Sequence, residues 1–163
     1  MTTDIIILAS VNILAWLVIH IGFAWAGVKS PASYFKPHAW LYQTFFFEKN
    51  GILYENLFLI KFWKDRLPDG AAWFQGGFPK KNMIQADFDY LNRFITETCR
   101  GELVHWAVFM ASGIFFLWNE PWVGWIMVAY GMAANFPCII VQRYNRNRLR
   151  SIVAKRKSNG EVV

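Results

Sequence analysis

The chain has 163 residues, of which 55% are hydrophobic and 18% aromatic, with nine Trp. One domain of this length cannot hide so much apolar surface in a single core, so part of it is expected to face lipid. The 17 Lys and Arg against 11 Asp and Glu leave a net charge of +6; because the basic excess follows apolar segments and no nucleic-acid-binding motif accompanies it, the charge points to lipid headgroups or phosphorylated substrates and away from nucleic acid.

Residues 5–28 are apolar apart from Ser10, Asn12, His20 and glycines, a run long enough to cross a bilayer as a helix. Ala24-Trp25-Ala26 imitates a signal-peptide cleavage site, but no basic residue precedes the run and the run is too long, so a retained first span is expected. His20, alone in that span, reads as a packed, hydrogen-bonded histidine. Residues 29–100 mix Lys and Arg with Asp and Glu and are expected to form a cytoplasmic, interfacial region. Within it, residues 40–47 and 52–63 are aromatic but too short to cross. Leu53, Leu57, Ile60 and Lys64 fall at helical spacing, which predicts amphipathic helices lying in the interface. Pro68-Asp69-Gly70 is a turn signature within a loop over residues 67–81. Residues 87–100 return to a helical pattern, with Phe88, Leu91, Phe94 and Ile95 on one side and Asp87 suited to cap the start.

Residues 103–118 and 122–141 are two further apolar runs joined by Asn119-Glu120-Pro121, which predicts a transmembrane helical hairpin. Residues 142–163 form a basic tail. Seven Lys and Arg fall between positions 141 and 157, with no acid before Glu161, so the C-terminus is expected in the cytoplasm; Lys29 and Lys36 after the first span, against Asp4 before it, give the same orientation. The expected fold is an all-α membrane protein. It is a single integral membrane domain, multi-pass in the cell membrane, with about three transmembrane helices plus interfacial amphipathic helices and the N-terminus outside.

The segment ETCRGELVHW (residues 97–106) puts Glu102 and His105 three apart on one helix face. A carboxylate beside an imidazole can orient it as a general base; alternatively Glu102 pairs with Arg100 or a C-terminal arginine, and His105 caps the interface. Glu-x-x-His also recurs in di-metal bundles, but one copy in a chain with three His predicts no metal site. In the third span Pro137 removes a backbone hydrogen bond beside Asn135, which is either an oxyanion donor or an interhelical bond. Gln142, Arg143, Asn145 and Arg146 follow. The forked guanidinium groups suit phosphate, although juxtamembrane arginines also serve as lipid anchors. Glu48 and Lys49 sit beside interfacial aromatics, where a solvated face is the ordinary arrangement. Cys99 and Cys138 lack the number and spacing of a disulfide framework or zinc site. No nucleophile elbow, Walker loop, dinucleotide fingerprint or His-x-x-x-x-Asp motif occurs.

Several blocks resemble the glycosyl-4,4'-diaponeurosporenoate acyltransferase family of firmicutes: Phe47-Glu48-Lys49 with Gly51, Trp63-Lys64 with Asp69-Gly70, Glu97-Thr98 with Arg100, Glu102-Leu103 and His105-Trp106, then Asn135, Pro137 and residues 141–146 with Arg148-Leu149. They keep the same order over nearly the whole chain, with departures in the first span and around residues 73–81. The resemblance implies transfer of a fatty acyl chain from a thioester, acyl-CoA or acyl carrier protein, to a sugar hydroxyl of a glycosylated C30 carotenoid acid, with no bound cofactor. On that reading His105 is the base, Glu102 orients it, Arg100, Arg143 and Arg146 neutralise donor phosphates, and Gln142, Asn145, Glu48 and Lys49 complete the binding region. Cys99 stands where cysteine is not expected, against a covalent acyl-cysteine. Two other readings stay open: a methyltransferase or other group-transfer enzyme acting on an isoprenoid, and a non-catalytic membrane subunit that presents the carotenoid glycolipid.

Overall fold

The computed structural model describes residues 2–67, 75, 77–78 and 87–160. The expected 67–81 loop falls mostly outside them, and so does the side chain of Lys49. The described residues are helical or irregular, with no strand among them.

Helix α1 spans Thr2–Lys29, and at 1.5 Å per residue it is about 42 Å long, more than the ~30 Å hydrocarbon core of a bilayer. One side of it packs inward through Asn12, Trp16 and Gly27, while Ile6, Ile13, Leu14, Val18 and Ile21 stay exposed. Aliphatic side chains on a solvent-facing helix would carry a large hydrophobic penalty, and lipid removes it. Helices α1 and the later α5 are each long and apolar enough to cross a membrane, which indicates membrane association.

The predicted interfacial helices are present only in pieces. Short 3-10 turns at Trp40–Tyr42 and Phe46–Gly51 lead into α2, Ile52–Leu57, and α3, Ile60–Trp63. The single helix expected over 52–63 is broken at Leu59, whose φ of 49° is left-handed, and the indole of Trp63 donates to the Phe58 carbonyl at 2.7 Å across the break. Gly51, with φ 99°, makes the turn that starts α2, a conformation that L side chains avoid. Tyr54 and Ile60 point into the protein, whereas Trp40, Phe46, Leu57 and Phe62 remain exposed.

Helix α4, Phe88–Ala111, starts where Asp87 accepts from the Tyr90 amide at 2.7 Å, the N-cap expected from sequence. It continues as a 3-10 segment, Ser112–Leu117. The helix therefore begins fifteen positions before the span drawn at 103, because the amphipathic pattern of its N-terminal half is continuous with the apolar C-terminal half. Helix α5 runs unbroken over Pro121–Ser158, about 57 Å. The tail expected after Val141 is thus the C-terminal half of one helix. No Gly or Pro interrupts residues 141–158, so nothing in that stretch ends it. Pro121 stands in its first turn, where the missing N–H costs nothing.

The long helices bind through small residues and a few polar clasps. A Cβ on Gly27 would come within 2.4 Å of Val104, and one on Gly131 within 3.0 Å of Trp16 and 3.1 Å of Ser112. At the end of the bundle where α4 turns into α5, Asn12 and Asn119 exchange amide hydrogen bonds at 2.9 Å, and the Trp118 indole donates to the Asn12 oxygen at 2.8 Å. That clasp ties the start of α1 to the turn between α4 and α5.

Candidate active site

On the C-terminal half of α5, Arg143, Arg146, Asn147 and Arg150 recur at helical spacing and so share one face. This face is covered by α4 and by the segment carrying Tyr42 and Glu48. Glu48 and Glu102 are each only 1% exposed, and a buried carboxylate is tolerable only when paired and fully hydrogen-bonded. Both are. Arg143 donates through Nε to Glu48 at 2.8 Å and to the Tyr54 hydroxyl oxygen at 3.2 Å, through Nη1 to Glu102 at 2.9 Å, and also to the Leu41 and Gln43 carbonyls. Glu102 also accepts from Nη2 of Arg146, while Glu48 accepts from the Tyr54 hydroxyl, the Phe45 amide and Asn147. Arg150 donates to the Tyr42 and Pro37 carbonyls at 2.9 and 2.5 Å.

The charge states follow from these contacts. Burial would push the Glu48 carboxyl up, but hydrogen bonds from Arg143, Tyr54 and the Phe45 amide outweigh it and hold the group below the usual carboxylate range. Burial likewise favours a neutral Arg143, yet its two carboxylate partners raise its pKa and keep it charged. Tyr42 is pushed up to about 12, first by burial and then by the nearby Cys99 and Glu102. Burial also raises the Cys99 thiol, a setting that disfavours the nucleophilic thiolate.

Beyond this charged joint, toward the N-terminal end of α5, His105 of α4 faces Asn135 of α5. The imidazole Nδ1 lies 2.9 Å from Asn135 Oδ1, and the fully buried Asn135 donates its own N–H to the Gly131 carbonyl at 2.9 Å. An Nδ1–H donor to that oxygen selects the tautomer with its lone pair on Nε2. Trp106, Phe109 and Phe136 form an edge-to-face cluster beside the pair.

The predicted residues thus separate into groups with different work. Glu102 is held by two arginines, and the amide of Asn135 is what bonds His105. Arg143 is enclosed by protein acceptors, so the exposed phosphate fork expected of it is replaced by an internal one. Arg100 pairs with Glu97 at 3.3 Å and donates to the Gly27 and Val28 carbonyls, closing the C-terminal end of α1. Gln142 packs against Gly101, where an added Cβ would meet it at 2.9 Å. Asn145 is half-buried. Glu48, expected on a solvated face, is buried. Tyr54, Asn147 and Arg150 were missed, although the 143, 146, 147, 150 spacing was readable as a buried polar stripe. Among the described residues no cluster of His, Cys, Asp and Glu could hold a metal ion.

A family model for glycosyl-4,4'-diaponeurosporenoate acyltransferase matches residues 32–155. Proteins of that name from Staphylococcus aureus strains N315 and USA300 are 34% identical to this chain over 146 residues, covering 90% of it and 88% of their own length, and the strain MRSA252 protein is 33% identical over the same span. The chain belongs to the glycosyl-4,4'-diaponeurosporenoate acyltransferase family. The range matched by this acyltransferase family contains both the charged joint and the His105–Asn135 pair. No solved structure matches the chain.

Proposed function

We propose that this acyltransferase moves a fatty acyl chain from a thioester donor, acyl-CoA or acyl carrier protein, to a sugar hydroxyl of a glycosylated C30 carotenoid acid, with His105 as general base and no bound cofactor. The observation that carries the reading is the 2.9 Å contact between His105 Nδ1 and Asn135 Oδ1. It gives an imidazole a defined tautomer beside the aromatic cluster of Trp106, Phe109 and Phe136, and Nε2 then bears the lone pair that takes the hydroxyl proton. Asn135 replaces Glu102 as the group that orients the base.

Depth supports the same reading. Arg143 is 22 positions after Pro121, or about 33 Å along α5, close to the thickness of the hydrocarbon, and Asn135 is about 12 Å nearer the middle. With the arginine-rich end of α5 cytoplasmic and three spans crossing the cell membrane, the donor's polar carrier stays in water on the basic side. Its acyl chain and the carotenoid stay in lipid, and the reacting atoms meet one to two turns inside the boundary. The buried Cys99 favours direct transfer without an acyl-enzyme. Full-length protein in lipid nanodiscs, given the glycosylated carotenoid acid with either an acyl thioester or a methyl donor, should yield a product heavier by one acyl group only with the thioester. Methyl transfer, or no product from either donor, would overturn the reading.

A further inference from the structure

Acyl transfer needs a hydrogen-bond donor for the negative charge that develops on the thioester oxygen. Asn135 is already used: its oxygen faces His105 and its amide donates to Gly131. Arg143 is directed to Glu48, Glu102 and two backbone carbonyls. The buried Nε and Nη1 of Arg146 have no partner, but they lie three turns beyond Asn135 on α5, roughly 16 Å away along the axis. The unpartnered Gln142 oxygen is an acceptor and cannot serve an anion.

One other group remains at the right depth. His20 packs on Trp16 as expected from sequence, but its Nε2 is buried and has no hydrogen-bond partner among the described residues. Such a nitrogen in apolar surroundings is costly unless a ligand or water completes it. Its depth is bracketed by contacts on both sides. Trp16 shares one core cluster with Val108, Phe115 and Val104, and Gly27 abuts Val104. His20 lies between Trp16 and Gly27 on α1, while His105 lies between Val104 and Val108 on α4. On the α5 side, Trp16 rests on Gly131, the residue whose carbonyl receives Asn135. The His20 ring stands 5.4 Å from that of Trp16, which fixes its side of the helix.

We infer that His20 is the oxyanion donor of the acyl-transfer site, its Nε2–H hydrogen-bonding the thioester carbonyl oxygen during attack. This rests on the transfer reading above. The sugar oxygen bonds to the carbonyl carbon as its proton passes to His105 Nε2, and the carbonyl electron pair moves onto the oxygen beside His20. Collapse re-forms the carbonyl and breaks the C–S bond, and the leaving thiolate takes the proton back from His105. His20 donates a hydrogen bond throughout and keeps its proton.

The test compares His20→Phe, which keeps a ring but no donor, with His20→Gln, which keeps an N–H, in full-length protein in nanodiscs with acyl-CoA and the glycosylated carotenoid acid. His20→Phe should lower kcat about 10²–10³-fold, with the KM of both substrates and the melting temperature near wild type, and His20→Gln should recover part of the loss. Should His20→Phe fail to accumulate, His20→Met takes its place under the same criteria. A wild-type kcat in the donor-less variant overturns the inference and leaves the transfer reading standing. Equal losses in the Phe and Gln variants that track a lowered melting temperature assign His20 to packing and also overturn it. A wild-type protein that acylates no such acceptor overturns both.

Discussion

The charged joint on the C-terminal half of α5 and the His105–Asn135 pair two turns before it hold polar groups on quite different terms. In the joint, Glu48 and Glu102 accept from several donors each, and Arg143 spans both. In the bundle, His105 and Asn135 share one hydrogen bond, His20 Nε2 on α1 has no hydrogen-bond partner among the described residues, and aromatic rings stand beside the pair. A saturated network resists change and locks geometry, while a sparsely partnered group is still able to bind something else. The joint therefore reads as the fastening that sets the angle of α4, α5 and the interfacial segment, and the pair is where the proposed transfer would occur.

The hardest way to break that contrast is at Glu102. Glu102→Ala strands Arg146, 1% exposed, and removes one of the partners of Arg143. Losing one member of a buried ion pair costs about 3–5 kcal/mol, so the variant should fall sharply in membrane level and in detergent melting temperature. Normal stability with lost turnover would move Glu102 into the chemistry. A smaller effect belongs to the helix contact between the two regions. Gly27→Ala forces a methyl to within 2.4 Å of Val104 and should cost about 1–3 kcal/mol, with Val104→Ala restoring the melting temperature in the double variant.

The mildest effect is a pH dependence. The depressed pKa of Glu48 means that its stabilisation is fully present above the ordinary carboxylate pKa and is lost as pH falls through the lower, folded value. Melting temperature should hold from neutral pH down to the usual carboxylate range and drop below it, and Glu48→Gln should start lower and show a shallower acid limb.

Much of this was legible in the residues. The apolar runs, the Asp87 cap and the Asn119-Glu120-Pro121 turn marked the helices, since periodicity and capping are local signals. The joint is legible only in part: a pairing of Glu102 with a C-terminal arginine is one of the sequence's alternatives, but the pairing of Glu48 is not, because Arg143 meets it from 95 positions away and Glu102 from 41. A basic stretch following a span has the same appearance whether it wets a headgroup, binds phosphate or lines a core. Three-residue spacing brings Glu102 and His105 to one face, yet each bonds to α5. The break at Leu59 had no sequence warning, a left-handed Leu being rare enough that nothing local announces it.

The central claim is that His105 performs the reaction and the joint does not. The most direct measurement is turnover per folded molecule of His105→Gln beside its melting temperature. Acyl transfer should fall about 10²–10⁴-fold while the melting temperature and membrane level match wild type; retained transfer by a fully folded His105→Gln protein would contradict the account.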